Sequence, residues 1–168
     1  MKSLARLVSS LLPLQTVYAH CDIPCGIYDP HNLQMAAHTI LRMTSMINDL
    51  KPSSEEPPFD ERKRIISQLA RLTKVKEDHA EIFKYELRIL WGDYFKEEHL
   101  KNYPDLHDLV FKTMKLASKV RQEVNLEAAR QLLKSAQEIA EIFYQTKGFD
   151  VVRIPSGYPT EGELISHK

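Results

Sequence analysis

The chain has 168 residues, of which 43% are hydrophobic and 27% charged, and its formal net charge is +0. That length suits one domain with a tail at each end, and a balanced charge argues against a nucleic-acid partner, which usually leaves a basic excess. Only 5 glycines are present, β-branched residues are not clustered, and no apolar run reaches the ~18–20 residues that span a bilayer, so an all-α fold with no membrane partner is expected.

Residues 1–19 differ in character from the rest of the chain. They carry Lys2 and Arg6 and no acid, and their apolar stretch from Leu7 to Leu14 is interrupted by Ser9, Ser10 and Pro13. The segment ends Val17-Tyr18-Ala19, and a small residue before a cut is compatible with a secretory leader. A propeptide removed for another reason, or an amphipathic helix that stays, fits the same residues.

Next comes His20-Cys21-Asp22-Ile23-Pro24-Cys25-Gly26-Ile27-Tyr28-Asp29-Pro30, where two prolines and a glycine exclude regular helix. Asp29 before Pro30 reads as an N-cap with proline at the first helical position. Leu33, Ala36 or Ala37, Ile40, Met43, Ile47 and Leu50 then recur in steps of three and four, which predicts a first helix to about Leu50. Residues 51–58 read as a linker. Asp60 opens a second, long helix to about Leu90, with Ile65, Leu69, Leu72, Val75 or Lys76, His79, Ile82 or Phe83, Glu86 or Leu87, and Leu90 along one face. Trp91, Tyr94 and Phe95 end it in an aromatic cluster, and 96–103 reads as a charged, irregular connection.

Pro104 and Asp105 open a third helix through Leu106, Val110, Met114, Ala117 and Val120. Asn125 caps a fourth through Leu126, Ala129, Leu132 or Leu133, Ala136, Ile139 and Phe143, and Gly148 stops it. Residues 149–168, with Pro155, Gly157, Pro159 and Gly162, read as an extended tail. Four amphipathic helices joined by short or moderate connections point to an antiparallel four-helix bundle preceded by an irregular N-terminal segment. The organisation expected is a leader at 1–19, one domain at 20–148 and a tail at 149–168.

Most familiar sites are missing. The residues three before the histidines are Val17, Tyr28, Met35, Lys76, Lys96, Pro104 and Leu164, so no Glu-x-x-His pair of a di-iron bundle exists. Phosphate loops, zinc-protease motifs and dinucleotide fingerprints are absent too. The two cysteines, Cys21 and Cys25, cannot make a four-thiolate zinc site within one chain. What remains is His20-Cys21-x-x-x-Cys25. A cut after Ala19 would give His20 a free α-amine, with a reference pKa of about 7.7–8.0, as well as its imidazole. The amine, the Cys21 amide and the thiolates of Cys21 and Cys25 can then close a planar N2S2 set. Such donors suit nickel(II) or copper(II) rather than zinc or iron, and thiolate and amidate donors stabilise a higher oxidation state. A thiol redox loop and an inert cysteine pair are the other readings of these residues.

The eleven residues from His20 to Pro30 closely resemble the nickel hook that begins mature members of the nickel superoxide dismutase family. Leu90-Trp91-Gly92-Asp93-Tyr94-Phe95-Lys96, followed by His99, Lys101, Tyr103, Pro104, Leu106 and His107, matches a second family stretch. The resemblance covers most of 20–147. It implies disproportionation of superoxide to dioxygen and hydrogen peroxide at nickel that cycles between II and III. It implies that His20 supplies amine and imidazole, Cys21 amide and thiolate, and Cys25 thiolate. Asp22 is implied to fix the hook, and Tyr28 and Tyr94 to flank the open axial position. A homohexamer, a leader peptidase and a cytoplasmic location are implied as well, with export as the alternative. One departure stands out. Some family members orient the ligand histidine with a Glu–Arg pair, and those positions fall here on Ala36 and His79. A nickel or copper store without turnover is the competing function.

Overall fold

The computed structural model describes residues 26–168. The described residues are mostly helical, with one two-stranded sheet. Helix α1 spans His31–Asp49, and its N-terminus is set by Asp29, whose Oδ1 accepts from the His31 N–H at 2.6 Å. Helix α2 spans Phe59–Ile89 and runs on into a π-helical segment, Leu90–Tyr94. A short helix α3, Glu97–Asn102, lies where the charged residues predicted an irregular connection. Helix α4 covers Leu106–Gln122. Helix α5 covers Leu126–Thr146, with the Asn125 side chain accepting from the Ala128 N–H at 2.9 Å as its N-cap. Gly148 adopts φ +76° just past its end, the left-handed position that favours glycine.

The four long helices pack in a ring: α1 lies on α2 and α5, and α4 lies on α2 and α5. Alanines make the close approaches. Ala37, Ala80, Ala117, Ala129, Ala136 and Ala140 are all fully buried, beside Leu33, Phe83, Leu87, Leu132 and Ile139. At 1.5 Å per residue α2 is about 46 Å long and α1 about 28 Å, so α2 outruns its neighbour. Its buried residues are Lys76, Ala80, Phe83 and Leu87. The stripe predicted from Ile65 to Leu72 is therefore not core within the chain, and Leu69 is 41% exposed. Among the described residues no helix is long and apolar enough to cross a membrane.

The tail corrects the purely helical expectation. Val151–Pro155 (β1) and Glu163–His167 (β2) form an antiparallel hairpin, with Arg153 opposite Ile165. Prolines and glycines disfavour helix here, while Val151, Val152, Ile154 and Ile165 suit strand. The turn between them takes φ +69° at Gly157 and +76° at Gly162. The hairpin docks on the helices through Gln34, a fully buried residue of α1. Its amide donates to the Ile165 carbonyl at 2.9 Å and accepts from the Ile165 N–H at 2.8 Å. A side-chain amide thus completes the hydrogen bonding of β2 on one side, where a third strand would otherwise pair.

Candidate metal centre

His20, Cys21, Asp22 and Cys25 lie outside the described residues, which begin at Gly26. Among the described residues no group of three His, Cys, Asp or Glu side chains converges to hold a metal ion.

Both sequence-predicted tyrosines are described, and the fold brings them together. Tyr28 sits two residues beyond Gly26 and Tyr94 ends the π-helical segment, 66 positions later. Their ring centroids are 5.6 Å apart, tilted by 54°. The π segment has a specific consequence. The Phe95 N–H bonds back to the Leu90 carbonyl at 2.9 Å, a wider turn than an α-helix makes, and insertions of this kind recur at functional sites. Sequence periodicity has no marker for that register change, although Gly92 inside it hinted at an interruption.

Tyr94 is held on several sides. Phe143 lies 4.4 Å away, Phe95 stands edge-on at 5.2 Å, and His99 stacks at 5.5 Å. The Tyr94 hydroxyl lies 2.7 Å from Thr146 Oγ1. Burial pushes the Tyr94 phenol above its ordinary value, so it is protonated at neutral pH. His99 is fixed in turn, because its Nδ1 accepts from the Lys96 N–H at 3.1 Å at the start of α3.

A cavity of about 340 Å³ opens here, lined by Gly26, Tyr28, Asp93, Tyr94, Lys96, His99 and Lys147. Lys147 was not singled out in the sequence. Its Nζ donates to the Tyr28 carbonyl at 3.3 Å and lies 4.7 Å from the Phe143 ring centroid. As a basic residue after the last turn of α5 it reads first as a partner of the helix dipole. Only the fold places it against Tyr28. Lys96, Lys147 and Asp93 therefore line the same cavity as the tyrosine pair. Behind it, the Tyr144 hydroxyl lies 3.5 Å from Asp29 Oδ2. Burial, then the Asp29 charge, pushes the Tyr144 phenol up to about 12.

The two departure positions lie apart from this cavity's lining. Ala36 is buried in the core at 2% exposure. His79 is half-buried, and its Nδ1 donates to the Val75 carbonyl at 2.8 Å along its own helix. A carbonyl only accepts, so in the neutral ring Nε2 is the nitrogen with the free lone pair.

The chain is similar to known proteins over most of its length. The family model for nickel-containing superoxide dismutase matches residues 15–147. The superoxide dismutase [Ni] of Streptomyces coelicolor is 33% identical over 135 residues, which is 80% of this chain and 93% of that protein. The enzyme of the same name from Streptomyces seoulensis matches to the same extent. A native nickel superoxide dismutase structure solved at 1.30 Å superposes with a TM-score of 0.62 at 31% identity, covering 76% of this chain and 99% of that one. The family match ends before the hairpin, so the added strands belong to the chain's own C-terminal extension. With that match and these relatives, the chain belongs to the nickel-containing superoxide dismutase family.

Proposed function

We infer that the chain disproportionates superoxide to dioxygen and hydrogen peroxide, using nickel held by His20, Cys21 and Cys25 after removal of residues 1–19. Family membership over residues 15–147 carries this reading, and it does not favour a metal store without turnover.

The residues fit the ion by their donor chemistry. A terminal amine, one backbone amide and two thiolates make a planar set that nickel(II) accepts and zinc does not prefer. The described part of the chain is consistent with such a site, because the hook segment joins it at Gly26, on the wall of the cavity that Tyr28 and Tyr94 share. Nickel bound there supplies a one-electron couple between II and III.

The chain's own residues do the rest. Lys96 and Lys147 line the cavity and place positive charge where an anion enters, which raises encounter rates. The tyrosine pair narrows the approach to small species. Asp22 braces the hook in this reading. Two protons are consumed per peroxide formed, and water ordered at the phenols is a ready source. His20 would hold the metal through its imidazole as well as its amine. With Ala36 and His79 in place of the Glu–Arg pair, the potential of the centre is the property most open to change.

The finer organisation accords with the same reading: a hook ahead of an antiparallel four-helix bundle, a leader at 1–19 removed by a peptidase, a homohexamer, and a cytoplasmic location. The test is direct. Leader-cleaved protein reconstituted with nickel should accelerate superoxide decay, and one extra residue before His20 should abolish that activity by removing the amine donor. A cleaved, nickel-loaded sample without activity defeats the proposal. Full activity in the extended variant defeats the ligand set.

A further inference from the structure

Thr146 is the last residue of α5 and stands immediately before Lys147. Its hydroxyl makes two contacts that fix the direction of a proton. Oγ1 donates to the Phe143 carbonyl at 2.7 Å, and it lies 2.7 Å from the Tyr94 hydroxyl. A threonine hydroxyl carries one proton, and a carbonyl oxygen can only accept. The Thr146 proton is therefore committed to Phe143. In the second contact the phenol must be the donor and Thr146 the acceptor. Tyr94, which lines the cavity, directs its only proton to Thr146, so its hydroxyl keeps only lone pairs to offer elsewhere.

The ring cannot easily escape that arrangement. Phe143, Phe95 and His99 confine it at centroid distances of 4.4, 5.2 and 5.5 Å. Turning the hydroxyl proton toward the cavity would leave the Tyr94–Thr146 contact without a proton between its two oxygens.

We propose that Thr146 is a positioning residue of the dismutase site: by accepting the Tyr94 proton it makes that phenol a hydrogen-bond acceptor, which gives no bond to an anion and holds proton-bearing species instead. The assignment of a site to this cavity rests on the dismutase reading. The chemistry distinguishes the two ends of the reaction. Superoxide carries no proton and would meet a lone pair at Tyr94, whereas water and hydrogen peroxide each carry protons that this oxygen accepts. Attraction of the anion is then left to the ammonium groups of Lys96 and Lys147, which act at range and do not trap it.

Azide tests this, as a small monoanion that accepts hydrogen bonds and carries no proton at neutral pH. Its dissociation constant is measured by calorimetric titration on leader-cleaved, nickel-loaded protein in a double-mutant cycle. Tyr94→Phe should bind azide within twofold of the parent, because no donor is lost. Thr146→Val keeps the branched shape but frees the phenol proton, and should bind azide roughly tenfold more tightly, since bonds to charged groups are the strong ones. Thr146→Ser should behave as the parent, and the double variant Thr146→Val, Tyr94→Phe should return to it. Weakening of azide binding several-fold in Tyr94→Phe alone overturns the proposal, as does a Thr146→Val protein that binds azide no more tightly. The Tyr94→Phe result stands whether or not Thr146→Val folds. Superoxide decay measured on the parent separates the two ideas: an inactive parent removes the dismutase reading, while the azide cycle still decides which way the Tyr94 proton points.

Discussion

The Lys147 ammonium donates to the Tyr28 carbonyl at 3.3 Å, tying the end of α5 to the segment that leads into the hook. The same ammonium lies 5.8 Å from the Tyr94 ring centroid. One cation thus touches both tyrosine-bearing segments and lines the cavity between them. Lys147→Gln keeps a donor for the carbonyl but removes the charge. We expect kcat/KM for superoxide to fall roughly three- to tenfold at low ionic strength, with the gap closing above ~0.15 M salt, where the screening length drops to about 8 Å. Pulse-radiolysis decay rates across a salt series check this. A salt-independent deficit would assign Lys147 to bracing alone.

Much of this arrangement was legible in the sequence, and the exceptions share a cause. Asn125 and Gly148 bounded α5 correctly because a cap and a left-handed glycine are local signals. Tyr28 and Tyr94 were paired through motif resemblance and meet in the fold. The hairpin was read only as extended, since a pairing between Val151–Pro155 and Glu163–His167 depends on Gln34, 131 positions from its partner Ile165. Thr146 and Lys147 were passed over for the same reason: each acts on a residue far away in the chain. Ile65 to Leu72 misled in the opposite direction, because helical periodicity reports a face without saying whether a neighbour reaches it.

Gln34 offers a test of how firmly the hairpin is held. Gln34→Leu preserves bulk but leaves the buried N–H and carbonyl of Ile165 without that partner. Each such orphaned group costs about 1–3 kcal/mol, so urea unfolding should show a loss of roughly 2–6 kcal/mol. Amide exchange along β2 should rise, while α4, which packs on α2 and α5, keeps its protection. Unchanged exchange at Ile165 would mean that other contacts hold the strand.

Lys76 is a buried cation held by backbone carbonyls. Its Nζ donates to those of Val120, Arg121 and Glu123 at 2.5, 2.7 and 3.0 Å, closing the C-terminus of α4. Such carbonyls are the groups a helix leaves unsatisfied, and they sit at its negative end. Lys76→Met fills similar space with no donor. It should lower the unfolding free energy by about 1–3 kcal/mol, with hydrogen exchange rising at the last turn of α4 before it rises elsewhere. A neutral or stabilising substitution would show that removing the cost of burying the ammonium outweighs the three lost bonds.

His38 gives the fold a predictable response to acid. It is 3% exposed, its Nδ1 lies 2.7 Å from Thr160 Oγ1, and its Nε2 is buried with no hydrogen-bond partner. Burial lowers its pKa below 6.5, and the Glu163 backbone offsets part of that. The unfolded chain therefore takes up a proton on His38 at a higher pH than the folded chain does. Across that interval the unfolded state binds more protons, so stability rises with pH and is lost as pH falls from about 6.5 toward the lowered folded value. Below both values the loss is complete and the slope from this group vanishes. Urea unfolding of the parent at pH 7.5 and 5.5 should show the difference, and His38→Gln, which cannot titrate, should flatten it even where its stability at pH 7.5 is lower. The hairpin should loosen first, because Thr160, whose hydroxyl meets His38, lies in its turn. An equal pH slope in the two proteins would place the acid sensitivity at another group.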